Sequence, residues 1–223
     1  MNAMRLNATT QALLAAVAGV LAMGTTMTLW TSAASADEPL IWWAGRAAGF
    51  VAYVALWLSM MFGMAVSSKG MGGVLPKKLV MDMHQQWTLS AVVATLVHVL
   101  TLVFHAESGV TPLAAFVPFA SARLTGPVGI GTIALFGLLI VAGSSWLRTR
   151  IPYSAWRGIH ALAFGTMILA LAHGWTAGTD TPLEWARWLY VLSGALLVGA
   201  LVTRVGLATY SAASRDRKRR AHA

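Results

Sequence analysis

The sequence predicts an all-α integral membrane protein, a bundle of six transmembrane helices, and three observations carry that prediction. Hydrophobic residues fill 57% of the 223 positions and charged residues only 10%, a balance that suits lipid rather than water. The apolar residues gather into runs long enough to cross a bilayer at about 20 residues each. Lys and Arg are sparse in those runs and collect mainly in alternate breaks and the tail.

The six runs cover residues 11–33, 41–66, 79–104, 126–147, 155–176 and 185–210. In lipid each backbone group must be satisfied within its own segment, so runs of this length are expected to be helices and not strands. Arg5 precedes the first run and Ala34-Ser35-Ala36 follows it, a pattern like a secretory leader with a small-residue cleavage site. The run is long for a leader, and an uncleaved first helix is the favoured reading. Turn-forming residues separate the others: Asp37-Glu38-Pro39, Gly70-Met71-Gly72-Gly73 with Pro76, Gly126-Pro127, Ile151-Pro152 and Thr181-Pro182. The expected organisation is a first helix within 1–36, a membrane domain over 37–210 and a basic tail over 211–223.

Charge gives the orientation. Lys69, Lys77, Lys78, Arg148, Arg150 and Arg157 occupy the breaks after the second and fourth runs, and Arg215, Arg217, Lys218, Arg219 and Arg220 the tail. The remaining breaks hold Asp37, Glu38, Glu107, Asp180 and Glu184 with few cations. The positive-inside rule then places both termini in the cytoplasm. The net charge of +9 is a topology and lipid-headgroup signal, and no nucleic-acid partner is expected. The chain has no cysteine, which excludes disulfides, iron–sulfur clusters and thiolate zinc sites.

Four histidines lie inside the third and fifth runs. His84 sits near the cytoplasmic end of the third and His98 fourteen residues on, about 21 Å further along the axis and only about 40° away in direction. His160 and His173 repeat the arrangement thirteen residues apart, about 19.5 Å along the fifth run. Both runs travel the same way, so His84 is matched in depth with His160, and His98 with His173. Thirteen residues turn the second side chain about 140° from the first, which calls for a bend, with Gly165 a candidate, or for bound groups at different rotations. Two imidazoles at each of two levels suit haem iron, which takes axial histidines from facing helices. Zinc or copper gathers three or four ligands at one depth.

Histidines spaced in this way, with "WWAGRAAGFVAYVALWLSMMFG" in the second run and "YSAWRGIHALAF" entering the fifth, resemble the ferric reductase-like transmembrane domain. That family includes ferric reductases, NADPH oxidases and the haem subunit of the bacterial periplasmic methionine sulfoxide reductase system. The resemblance covers residues 41–210 and implies a bacterial-type inner membrane, two b-type haems, and electron flow from a cytoplasmic donor to an outer acceptor. It assigns His84 and His160 to the inner haem iron and His98 and His173 to the outer one. It places Arg46, in "GRAAG", where a guanidinium pairs with a haem propionate or polarises an acceptor; snorkelling to the interface is the alternative. His105, seven residues after His98, is open to three roles: propionate contact, an acceptor metal, or replacing His98 as ligand.

Unlike the better-known members, this chain shows no Gly-rich dinucleotide fingerprint after a strand. The expected donor is therefore a separate flavoprotein or a membrane quinol, and the acceptor ferric iron or a periplasmic partner protein. Lys77, Lys78, Arg148 and Arg150 are a candidate docking face. The methionines near the histidines, Met60, Met61, Met64, Met81 and Met83, are expected to fill core gaps, and the tryptophans to form an interfacial belt, with Trp175 placed to line the outer haem. Two rival readings stay open: a single-haem anchor for a periplasmic reductase, and a proton or metal transporter using the histidines as relays. The latter ordinarily needs chains of carboxylates, and only Asp82 lies near a histidine.

Overall fold

The computed structural model describes residues 40–67 and 76–221, and all regular structure among them is helical. Five helices are long and apolar enough to cross a membrane. These are α1 (Leu40–Ser67), α2 (Lys77–Phe104), α4 (Thr125–Trp146), α5 (Tyr153–Ala177) and α6 (Glu184–Ala221), with a short α3 (Pro112–Phe116) between α2 and α4. The predicted first span over 11–33, and with it the question of a cleaved leader, falls outside the described residues, as does His222.

Proline and glycine mark several of the span boundaries. Pro76 and Pro152 stand just before α2 and α5 in extended geometry, with no N–H to leave unsatisfied. Gly178 closes α5, its N–H returning to the Gly174 carbonyl. The last helix runs past the expected boundary at 210 and continues to Ala221, because the basic tail contains no Pro or Gly to stop it.

The break after His105 is more organised than the sequence suggests. Thr111 caps α3 by accepting from the Ala114 N–H at 3.2 Å, Pro112 opens it, and Thr132 of α4 donates to the Ala114 carbonyl at 3.2 Å. Gly109 takes a positive φ of 73° and leaves room for the Arg123 side chain to lie against it.

The closest packing is within two antiparallel pairs, α1 with α2 and α4 with α5, and α6 closes the bundle against α1 and α5. The core between α1, α5 and α6 contains Phe50, Tyr53, Met60, Met64, Met167 and Tyr190. Met60 and Met64 thus fill space as expected. Tyr53 and Ser193 share a buried hydroxyl bond at 2.5 Å, and the Trp57 indole donates to the Ser193 carbonyl at 3.0 Å. Leu96, Leu100, Ile140, Leu162, Ile168, Leu196 and Val202 face outward and are exposed, which in a membrane protein is the surface that lipid covers.

Candidate functional site: two facing histidine pairs

The bundle brings the four histidines together two by two. His98 and His173 face each other with ring centroids 6.3 Å apart, and His84 and His160 do so at 6.0 Å. All four rings are half-buried. Two imidazoles bound to opposite sides of one metal atom through bonds of about 2 Å would hold their centroids roughly 6 Å apart. Both pairs lie close to that separation.

Hydrogen bonding sets which nitrogen faces inward. A carbonyl oxygen can only accept, so an imidazole nitrogen bonded to one must carry the proton. His98 donates from Nδ1 to the Gly45 carbonyl at 2.7 Å, His173 to the Pro127 carbonyl at 2.8 Å, and His84 to the Ser59 carbonyl at 2.9 Å. His160 is held differently. Ser145 spends its own hydrogen on the Val141 carbonyl at 2.9 Å, so its oxygen receives the His160 Nδ1–H at 3.4 Å. In a neutral ring, a proton on Nδ1 leaves the Nε2 lone pair available to a metal, and such an outer partner fixes the tautomer and orientation of a ligating histidine.

Glycines make these bonds possible. A Cβ on Gly49 would come within 3.0 Å of the His98 ring, one on Gly63 within 3.1 Å of His84, and one on Gly131 within 2.6 Å of His173. Each glycine lies four residues after the carbonyl that receives the proton: Gly45 and Gly49, Ser59 and Gly63, Pro127 and Gly131. The imidazole can lie flat over the helix only where the next turn has no side chain. On α4 the corresponding position fourteen residues after Gly131 is Ser145, which supplies a hydroxyl in place of the gap.

The 14-residue spacing of Gly49 and Gly63 on α1 equals that of His84 and His98 on α2, as antiparallel neighbours require. This signal was in the sequence, inside the stretch that carries the family resemblance, but it acquires meaning only when the two helices are paired. The 13-residue spacing on α5 also resolves into two pairs, with the helix unbroken through Gly165.

Around the upper pair, at the end remote from Lys77 and Arg148, lies a cavity of about 230 Å³ walled mostly by apolar side chains. His98, His173, Gly49, Gly131, Arg46 and Arg123 are among its lining residues. Arg46 forms a two-armed ion pair with Asp180, Nε meeting Oδ2 at 2.9 Å and Nη2 meeting Oδ1, and its guanidinium lies 4.3 Å over Trp43. Asp180 is 4% exposed, so each charge answers the other across a desolvated contact. Sequence reasoning missed that partner, since 134 residues separate the two. It also missed Arg123, whose Nη1 donates to the Glu107 carbonyl at 2.6 Å.

His105 caps the end of α2 and lies tilted against Trp42 with ring centroids 5.3 Å apart. It is not among the residues lining this cavity, nor is Trp175, which packs edge-on to Tyr190. Among the described residues no three His, Cys, Asp or Glu side chains converge on one point. The histidines thus offer ligands in twos.

Residues 40–180 match the family model described as a domain of unknown function, DUF8596. The chain belongs to that family. The matched region of DUF8596 includes all four histidines, the three glycines beneath them, and both Arg46 and Asp180. No curated protein and no solved structure matches the chain.

Proposed function

We propose that this protein is a di-haem b-type transmembrane cytochrome, one haem held between His98 and His173 and the other between His84 and His160. In this reading it carries electrons from a separate donor at the basic, cytoplasmic end of the bundle to an acceptor at the opposite end. The observation that carries the reading is the pair geometry: imidazoles facing at 6.0 and 6.3 Å, with Nδ1 of each ring turned away to a helix partner. The resemblance to the ferric reductase-like domain points the same way.

Bound haem would supply reversible one-electron chemistry at its iron. The chain's own residues do the rest. The Gly45, Ser59 and Pro127 carbonyls and the Ser145 hydroxyl hold the four rings in the ligating tautomer. Gly49, Gly63 and Gly131 let the rings lie against the neighbouring helices. Leu56, Leu135 and Leu138 give the upper cavity apolar walls that keep water from the site. Arg46, neutralised by Asp180, and Arg123 line the same cavity and would offer guanidinium groups to the carboxylates of a haem edge. Two levels about 21 Å apart along α2 span most of a hydrocarbon core of about 30 Å.

The single-haem reading is favoured by one feature, that the described cavity adjoins His98 and His173 and not the lower pair. The haem-to-protein ratio by pyridine haemochrome, with the dithionite-reduced spectrum, decides between them. Two b-type haems per chain support the wire and one supports the anchor. None, in folded protein made with haem present, ends both.

A further inference from the structure

The basic end carries a run of stacked groups that the haem reading leaves unused. Tyr153 stacks on Trp156 with centroids 5.7 Å and planes 30° apart, and Trp156 stacks on His160 at 4.9 Å and 24°. Three rings at the start of α5 therefore lie in series. Tyr153 is 65% exposed at one end of the series, and the lower histidine is at the other.

Arginines flank the run. The Arg148 guanidinium lies 5.4 Å from the Trp156 ring centre and that of Arg157 5.9 Å from Tyr153. Both side chains are exposed, and neither forms an ion pair with a carboxylate among the described residues. Lys77, Lys78 and Arg150 stand at the same end of the bundle, against Asp82 as the exposed acid near the start of α2.

Aromatic residues at a membrane end ordinarily anchor the protein in the headgroup region. Here the rings stack on one another, and the innermost lies on a histidine with its indole N–H 3.5 Å from the Ser145 hydroxyl that holds that histidine. A lipid anchor needs neither contact.

We propose that Tyr153, Trp156, Arg148 and Arg157 form a binding seat for a small planar aromatic anion of the electron-donating class, such as an anionic hydroquinone. Stacking against the exposed Tyr153 ring supplies affinity. The two guanidinium groups recognise a sulfonate, carboxylate or phosphate and steer it inward. What the seat does rests on the haem reading above, but its existence does not. With the proposed haems bound, a seated hydroquinone would become the quinone by giving two protons to water at this open end and two electrons inward past Trp156, one for each ferric haem to accept.

The test is calorimetric titration of the full chain, in nanodiscs of zwitterionic lipid, with anthraquinone-2,6-disulfonate. The expected result is saturable binding that weakens with added salt and falls on the order of tenfold or more in the Arg148→Glu, Arg157→Glu double variant. Tyr153→Leu and Trp156→Leu weaken it too, whereas Trp156→Phe, which keeps the stack, retains it. Tyr153 is exposed enough that its variant should fold even if Trp156→Leu does not. No binding, or binding indifferent to salt and to all these substitutions, overturns the seat. Haem content measured in the same preparations separates the two ideas. Binding without haem sinks the cytochrome reading alone, and haem without binding sinks the seat alone.

Discussion

The two histidine pairs are built to one plan and finished differently. In the upper pair both rings donate to backbone carbonyls, Gly45 and Pro127, at 2.7 and 2.8 Å, and both lie over glycines. In the lower pair His84 follows that plan with Ser59 and Gly63, whereas His160 relies on the Ser145 hydroxyl at 3.4 Å and on the face of Trp156. A carbonyl inside a helix is fixed by the helix, but a hydroxyl rotates. The comparison teaches that an imidazole can be oriented rigidly by main chain or adjustably by side chain, and that His160 is the adjustable one of the four.

On the di-haem proposal, the largest effect should come from replacing one of the facing histidines. His173→Ala should lower the haem-to-protein ratio by one and leave the spectrum of the lower site in place, as read by pyridine haemochrome. An unchanged ratio would mean that the upper pair does not hold haem.

Next in size is the steric floor beneath the rings. Gly131→Leu puts a side chain where even a Cβ would stand 2.6 Å from His173, and should empty the upper site nearly as completely as loss of the histidine. Ser145→Gly, which opens the equivalent place below and frees the Val141 carbonyl four residues earlier to receive the His160 Nδ1–H in the manner of the other three rings, should preserve haem in the lower site. If the two variants behave alike, the difference drawn between the pairs is wrong.

A smaller effect belongs to Ser145→Ala, which leaves the His160 Nδ1–H without its acceptor. Loss of such an outer partner typically lowers metal affinity about 10–100-fold; the weak 3.4 Å bond places this case near the lower limit, seen as faster haem loss to apomyoglobin from the lower site. Asp180→Asn removes the charge opposite Arg46 and should cost about 1–3 kcal/mol in stability, read as a lower midpoint of thermal unfolding in detergent. The smallest change is expected for Met64→Leu, a volume-conserving core swap worth less than about 1.5 kcal/mol, with haem content intact.

Much of this was legible before any coordinates. Five predicted spans match α1, α2, α4, α5 and α6 to within a few residues, apart from the extended C-terminal end of α6, because uninterrupted apolar runs have one solution in lipid. The depth pairing of His84 with His160 and His98 with His173 followed from counting residues along two co-directional helices. The glycine floor was visible only as an unexplained 14-residue spacing. Arg46 had a position but no partner, since nothing local ties it to Asp180, and the capped turn at Thr111 was hidden in what looked like a plain break.

The sequence by itself determined that the chain is a helical membrane protein with histidines at two matched depths, because hydropathy and helical rise act along the chain. Only the tertiary structure decided which carbonyl receives each imidazole proton, which glycine makes room for it, and that Ser145 and Trp156 hold His160 instead. Those contacts join residues on different helices or depend on how one helix lies against the next. Their geometry exists only once the helices have packed.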